Sequence, residues 1–115
     1  MEAISIIKHL RMPARKVRVV AKAVEKKSVV DALDRLRFIP KNASKHLIKA
    51  IKSAVANATK NYGADADRLF VKGIRVDHGP TLKYARRFMP RAMGRAAKIN
   101  KRSCHVEVTV TDNKK

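Results

Sequence analysis

Lys83, Arg86, Arg87, Arg91, Arg95, Lys98, Lys101 and Arg102 put eight cations between Gly79 and Arg102, and no acid lies between Asp77 and Glu107. Guanidinium groups bridge phosphates bidentately, and rings such as Tyr84 and Phe88 stack on unpaired bases for roughly 1–3 kcal/mol per base. The chemistry this run can do is the binding of a polyanion. A second set, Arg15, Lys16, Arg18 and Lys22, falls at helical spacing. Alone it would read as a solvated helix face; in so basic a chain, phosphate contact is the better expectation.

Reactive groups of other kinds are scattered. His9, His46, His78 and His105 form no i,i+4 pair and have no carboxylate at ligand spacing. Asp65 and Asp67 flank Ala66, but a calcium loop needs further acids and a terminal Glu. Ser5, Ser28, Ser44, Ser53 and Ser103 stand in no nucleophile-elbow context, and no glycine loop is built to cradle phosphate. The expectation is a protein that is not an enzyme, with no catalytic residue, metal or cofactor. Cys104, the single cysteine, cannot form an intramolecular disulfide and suits a strand in a reducing compartment.

The 115 residues carry 28 Lys plus Arg against 9 Asp plus Glu, a formal charge of +19. The excess is spread along the chain: Met1–Gly63 holds 15 basic and 4 acidic residues, Ala64–Lys115 holds 13 and 5. A surface basic nearly throughout reads as one embedded in nucleic acid. The opening MEAISIIKHLRMP has an early acid and no apolar run of signal-peptide length, and no stretch approaches the roughly 18 apolar residues of a membrane span. A soluble, cytoplasmic protein with no membrane insertion and no stable homo-oligomer is expected.

The elements that must position these cations are legible in part. Ala3–Lys8 is Ile-rich and suits an edge strand. Pro13 fits a first helical position, and Val17, Val20, Ala21 and Val24 then recur at helical spacing. A second helix follows Lys26–Ser28, with Val29, Ala32, Leu33 and Leu36 apolar, Ser28 or its neighbour as cap and Pro40 as stop. The spacing predicts a third helix over Asn42–Tyr62, with Leu47, Ile48, Ile51, Ala54, Val55 and Ala58 as its stripe. Gly63 ends it in the left-handed conformation, and Ala50, Ala54 and Ala58 let it lie close against a sheet.

From Leu69 the period becomes two. Leu69 and Val71 are succeeded by Ile74 and Val76 across Gly73, which predicts a β-bulge. Val106, Val108 and Val110 alternate with His105, Glu107, Thr109 and Thr111 in a half-buried strand. Paired antiparallel, Leu69–Asp77 and Cys104–Thr111 make Gly79–Arg102 a hairpin extension of a single domain, residues 1–115. Two arms of about 11 residues at about 3.3 Å each would project roughly 35 Å. A long narrow hairpin suits threading between RNA helices, and the chain lacks the helix-turn-helix or zinc-finger signals of major-groove readers. Two alternatives stand beside this: a nucleoid-type DNA-binding protein, and a cationic membrane-active protein. The second is weakened because Leu82, Tyr84, Phe88, Met89 and Ile99 form no single apolar face.

The chain resembles the family of bacterial-type large-subunit ribosomal protein twenty-two. The resemblance is carried by Arg86, four residues, Arg91-Ala92-Met93-Gly94-Arg95, nine residues, then His105-Val106-Glu107-Val108-Thr109-Val110. Met89-Pro90, Lys101-Arg102, Val76-Asp77 before Gly79-Pro80, Lys16-Val17-Arg18, Ala56-Asn57-Ala58 and Asn61-Tyr62-Gly63-Ala64-Asp65 support it in order along nearly the whole chain. It implies an α+β fold, three helices packed on a small antiparallel sheet with one long protruding β-hairpin. It further implies a structural constituent of the large ribosomal subunit that binds ribosomal RNA and helps subunit assembly. Its partners would be large-subunit ribosomal RNA, neighbouring ribosomal proteins and the nascent peptide. The RNA-binding residues would be Arg15, Lys16, Arg18, Lys22, Lys83, Tyr84, Arg86, Arg87, Arg91, Arg95, Lys98, Lys101 and Arg102. The tip lining the exit tunnel would be Lys83, Arg86, Arg87, Phe88, Met89, Pro90, Arg91, Ala92 and Gly94. Two departures are visible. Thr81–Met89 is longer than in many members, implying a longer or bulged tip, and Lys26 stands where members often have glycine.

Overall fold

A run that alternates apolar and polar residues buries one face, and here three such runs share one helix layer. In the computed structural model, which describes residues 1–81, 87–90, 92–94, 96–99 and 102–112, the chain begins with strand β1 (Glu2–Leu10). Three helices follow: α1 (Ala14–Val24), α2 (Val29–Phe38) and α3 (Asn42–Tyr62). After a 3-10 turn at Ala66–Arg68 come β2 (Phe70–Thr81), β3 (Arg87–Pro90), a second such turn at Ala92–Gly94, β4 (Ala96–Ile99) and β5 (Arg102–Thr111). The fold is α+β, three helices on an antiparallel sheet of order β1-β5-β2, with β3 and β4 paired as a separate hairpin.

The helices form as their spacing dictates. α1 buries Ala14, Val17, Val20, Ala21 and Val24. Pro13 is its cap residue rather than its first helical residue, with ψ 140 still extended. Ser28 caps α2 by accepting from the Asp31 amide at 3.3 Å. α3 spans the predicted range and stops at Gly63, whose φ of 64 and ψ of 22 are left-handed. Leu47, Ile51, Ala54 and Ala58 are buried; Ile48 and Val55 pack at the margin. α3 covers β1 and β5, while α1 covers β2. Ala3, Ser5, Val106, Val108, Val110, Val71, Ile74 and Val76 are buried beneath them.

The outer face of the sheet mixes charged residues with the exposed Ile4 and Ile6 of β1, and both of its edges make contacts beyond the sheet. Leu69 and Val71 exchange backbone bonds with Lys26, Lys27 and Val29 along the free edge of β2. Further on, the Ile74 amide donates to Glu25 Oε1 at 3.1 Å. Asn57 Nδ2 donates to the Ile4 carbonyl at 3.0 Å on β1. Closing an edge this way withholds a template for unwanted strand pairing.

Three bulges bend this sheet. The first, between Val71 and Gly73 in β2, is the predicted one. The other two lie level with Cys104, which pairs with Leu10 on one side and His78 on the other. Register shifts between Ile7 and Leu10, and again between His78 and Thr81. Bulges re-aim a strand and raise its twist. β5 is thus flanked by bulges on both sides at the level where the hairpin departs.

Candidate nucleic-acid interface

Two elements carry the residues expected at the interface, the hairpin and α1. β3 and β4 pair in register from Arg87↔Ile99 to Pro90↔Ala96. That places the reversal at Ala92–Gly94, where Met93 (φ 63) and Gly94 (φ 70) are both left-handed. Arg87, Phe88 and Met89 therefore lie in a paired strand beside the turn, with Pro90 at its end, and Lys98 lies in the returning strand. Of the expected arm residues, Lys83, Tyr84, Arg86, Arg91, Arg95 and Lys101 lie outside the described residues. Arg102 opens β5 and is exposed. The Cα atoms span 62 × 26 × 21 Å.

At the root of the hairpin the backbone is fastened by short polar contacts. Ser103, fully buried, donates its hydroxyl to the Pro80 carbonyl at 2.6 Å. A Cβ on Gly79 would stand 2.6 Å from that same Ser103 Oγ and 3.3 Å from the His105 ring. Glycine is required there by close approach. Across β5, His9 adopts φ 58 and its amide donates to His105 Nδ1 at 3.1 Å, the two rings meeting edge to face at 5.0 Å.

On α1, Arg15, Lys16 and Lys22 are exposed as expected. Arg18 has a partner that sequence spacing does not reveal. Its Nε (3.1 Å) and Nη2 (2.7 Å) both donate to the Val76 carbonyl on the free edge of β2. Two of its donors are committed within the protein, so Arg18 tethers α1 to the strand that becomes the hairpin.

The acids sort the surface. On the outer sheet face Arg75 bridges Asp77 (3.1 Å) and Glu107 (3.4 Å), and Lys72 pairs with Glu2. On α2, Arg35 pairs with Asp31 (3.2 Å) and Arg37 with Asp34 (3.9 Å), and Arg68 pairs with Asp65 (4.0 Å). Such exposed pairs add little stability. Their consequence is in the field: sheet face and α2 are locally balanced. Among the described residues no ion pair involves Arg15, Lys16 or Lys22 of α1, or Lys45, Lys49, Lys52 and Lys60 of α3.

Sequence reasoning missed two features. Met93 is 96% exposed at the apex of the turn; the pattern of cations drew attention to its neighbours instead. Phe38 is 86% exposed at the end of α2. Among the described residues there is no group of three or more potential metal ligands, and no helix is long and apolar enough to cross a membrane.

A small basic α+β domain that balances its acids on the sheet face, on α2 and at the turn after α3, and carries an acid-free hairpin, belongs, as a class, to proteins that lie against polyanions. Comparison with protein families makes this specific. The family model described as Ribosomal protein L22p/L17e matches residues 5–111, and the chain belongs to that family. Among its relatives, the "Large ribosomal subunit protein uL22" of Desulfitobacterium hafniense is 49% identical over 113 residues, covering 98% of this chain and 96% of that one. The protein of the same description from Geobacter sulfurreducens is 47% identical over 112 residues, covering 97% and 98%. That from Pelotomaculum thermopropionicum is 45% identical over 114 residues, covering 99% and 98%.

Proposed function

We propose that this protein is a structural constituent of the large ribosomal subunit, acting in the cytoplasm by binding ribosomal RNA and without catalysis. The observation that carries the reading is the pairing of β2 with β5 and of β3 with β4, which sets the described parts of the acid-free cationic run on paired strands. Its mechanism has two parts. Cations along the arm and on α1 neutralise phosphates and let RNA segments approach one another. The hairpin then fixes their arrangement by shape, as RNA recognition generally requires.

In this reading Arg15, Lys16 and Lys22 contact phosphate from α1. Lys83, Tyr84, Arg86, Arg87, Arg91, Arg95, Lys98, Lys101 and Arg102 contact RNA along the arm. Arg18 contributes chiefly by holding the arm's root. The tip residues Lys83, Arg86, Arg87, Phe88, Met89, Pro90, Arg91, Ala92 and Gly94, joined by Met93, face the peptide exit tunnel and the nascent peptide. Neighbouring ribosomal proteins and a part in subunit assembly complete the proposal. Family membership favours it over the nucleoid-type alternative.

The test is binding of the intact chain, and of a chain lacking Lys83–Arg95, to large-subunit ribosomal RNA, with duplex DNA and unrelated structured RNA as competitors. Selective binding that weakens on deletion is expected. With 6–10 phosphate contacts, affinity should fall on the order of 10³–10⁵ between 50 and 200 mM salt. Indifference among the three polyanions would overturn the ribosomal assignment.

A further inference from the structure

α3 holds a surface that neither the arm nor α1 accounts for. No acid lies between Asp34 and Asp65, a run as long as the one between Asp77 and Glu107 that contains the arm. Most of this run is the single helix Asn42–Tyr62, so helical geometry places its cations. Lys45, Lys49, Lys52 and Lys60 are all exposed. At about 100° per residue they fall within about 80° of arc, opposite the buried Leu47, Ala50 and Ala54. They make a ridge about 22 Å long at about 1.5 Å per residue.

Such a ridge suits a helix poorly while it faces only water. Lys45 and Lys49 stand at i,i+4 and Lys49 and Lys52 at i,i+3, where like charges repel. Among the described residues no ion pair involves any of the four. α2, by contrast, answers Arg35 with Asp31 at 3.2 Å and Arg37 with Asp34 at 3.9 Å. The repulsion along α3 is left for a bound anion to relieve.

The same face says which anion. Asn42 and Ala56 are the other residues of α3 on that arc, and neither is bulky enough to keep a nucleic-acid backbone away. Neither offers a ring to stack on an open base, nor the apolar centre on which a protein interface is built. A lysine ammonium is a point charge that takes phosphate without reading sequence.

We propose that the α3 ridge is a second RNA site, one that takes the phosphate backbone of a base-paired segment. A duplex turns its bases inward and is recognised by its shape and backbone. The proposal rests on the RNA-binding reading of the chain and adds to it a contact distinct from the arm. Asn57 of α3 bonds the Ile4 carbonyl, level with Thr109 of β5. The arm departs level with Cys104, five residues and about 16 Å away along that strand at about 3.3 Å per residue. The protein thus holds two RNA segments, one along the hairpin and one across its helix layer.

The test variant is the full-length chain with Lys45→Gln, Lys49→Gln, Lys52→Gln and Lys60→Gln. Its charge-matched control removes four paired cations instead, with Arg35→Gln, Arg37→Gln, Arg68→Gln and Lys72→Gln. Both are titrated across a salt series with a perfect RNA duplex and with polyglutamate of equal charge. The ridge variant should lower the salt slope for duplex RNA by about 3–4, near one per lysine, and the control by less than about 1. In wild type, bound duplex should protect the four lysines from acetylation, read by mass spectrometry, and leave Lys72 reactive. An equal fall in both variants would reduce the effect to net charge and overturn the site. Unchanged acetylation of the four lysines with duplex bound would overturn it too. Equal protection by polyglutamate would overturn it in favour of an acidic protein segment. If wild type still selects ribosomal RNA through its arm in any of these cases, only the ridge fails. If it binds every polyanion alike, the RNA reading fails with it.

Discussion

Arg18 reaches from α1 to place two guanidinium donors on the carbonyl of Val76, at 3.1 and 2.7 Å. Val76 pairs with Val106 on its other side. The outward carbonyl of an edge strand is thereby satisfied by a charged donor, just before that strand leaves the domain as the hairpin. A residue whose type and spacing suit phosphate contact is also part of the arm's foundation.

Arg18→Ala should therefore cost about 1–2 kcal/mol, the range for a charge-assisted hydrogen bond that is partly exposed. Lys22→Ala should stay within about 0.5 kcal/mol of wild type, as surface substitutions usually do. Urea unfolding separates the two. RNA titrations should reverse the ranking in salt slope, with Lys22→Ala lowering it by about 1.

Gly79→Ala should destabilise the root of the hairpin, since its Cβ would meet Ser103 Oγ and turning that hydroxyl away breaks its bond to Pro80. The expected loss is about 1–3 kcal/mol, the cost of leaving a buried polar group unsatisfied. Gly73→Ala meets nothing within 4 Å and serves as control. In a double-mutant cycle, Ser103→Ala should relieve part of the Gly79→Ala loss. Strict additivity would show that the clash is elsewhere.

Lys26 lies in the left-handed region at φ 62 while its amide donates to the Val71 carbonyl at 2.9 Å. Glycine keeps that bond and removes the Cβ strain of roughly 1–2 kcal/mol, offset by the loss of roughly 0.5–1 kcal/mol through its freer unfolded state. Lys26→Gly should raise the thermal midpoint slightly. A lower midpoint would show that the lysine side chain itself stabilises the turn.

Burial pushes the Cys104 thiol above its ordinary value of 9.0, with the Arg18 guanidinium pulling it partly back. A thiol whose folded value is raised stabilises the fold fully below its unfolded value, and that stability is lost as pH climbs beyond it. Wild type should thus lose more stability than Cys104→Ala between pH 8 and roughly pH 10. At neutral pH a thiol reagent should label Cys104 no faster than the protein unfolds, which stopped-flow unfolding measures independently.

Much of this architecture was legible because local rules and packing agree. α3 carries a complete apolar stripe and a glycine stop, so its limits could be read directly. The bulge at Gly73 was visible because the apolar phase changes there. The turn of the hairpin was harder to place: the long cationic run from Lys83 has no apolar period to mark where strand gives way to turn, and pairing of Pro90 with Ala96 decides it. Arg18, Lys26 and His9 were illegible for another reason. Their roles depend on backbone groups brought close only by the fold, and no spacing along the chain records a carbonyl on a distant strand edge.

β5 lies between β1 and β2, and it follows both of them along the chain. During synthesis, from the N-terminus onward, both outer strands are made long before the strand that joins them. The helices pack largely on the strands, α3 on β1 and β5 and α1 on β2, so neither layer is complete until β5 is made. Losing even a few residues from β5 would strand both edges at once. The order of manufacture thus makes β5 a checkpoint, and only a copy that has added it can present a properly rooted hairpin.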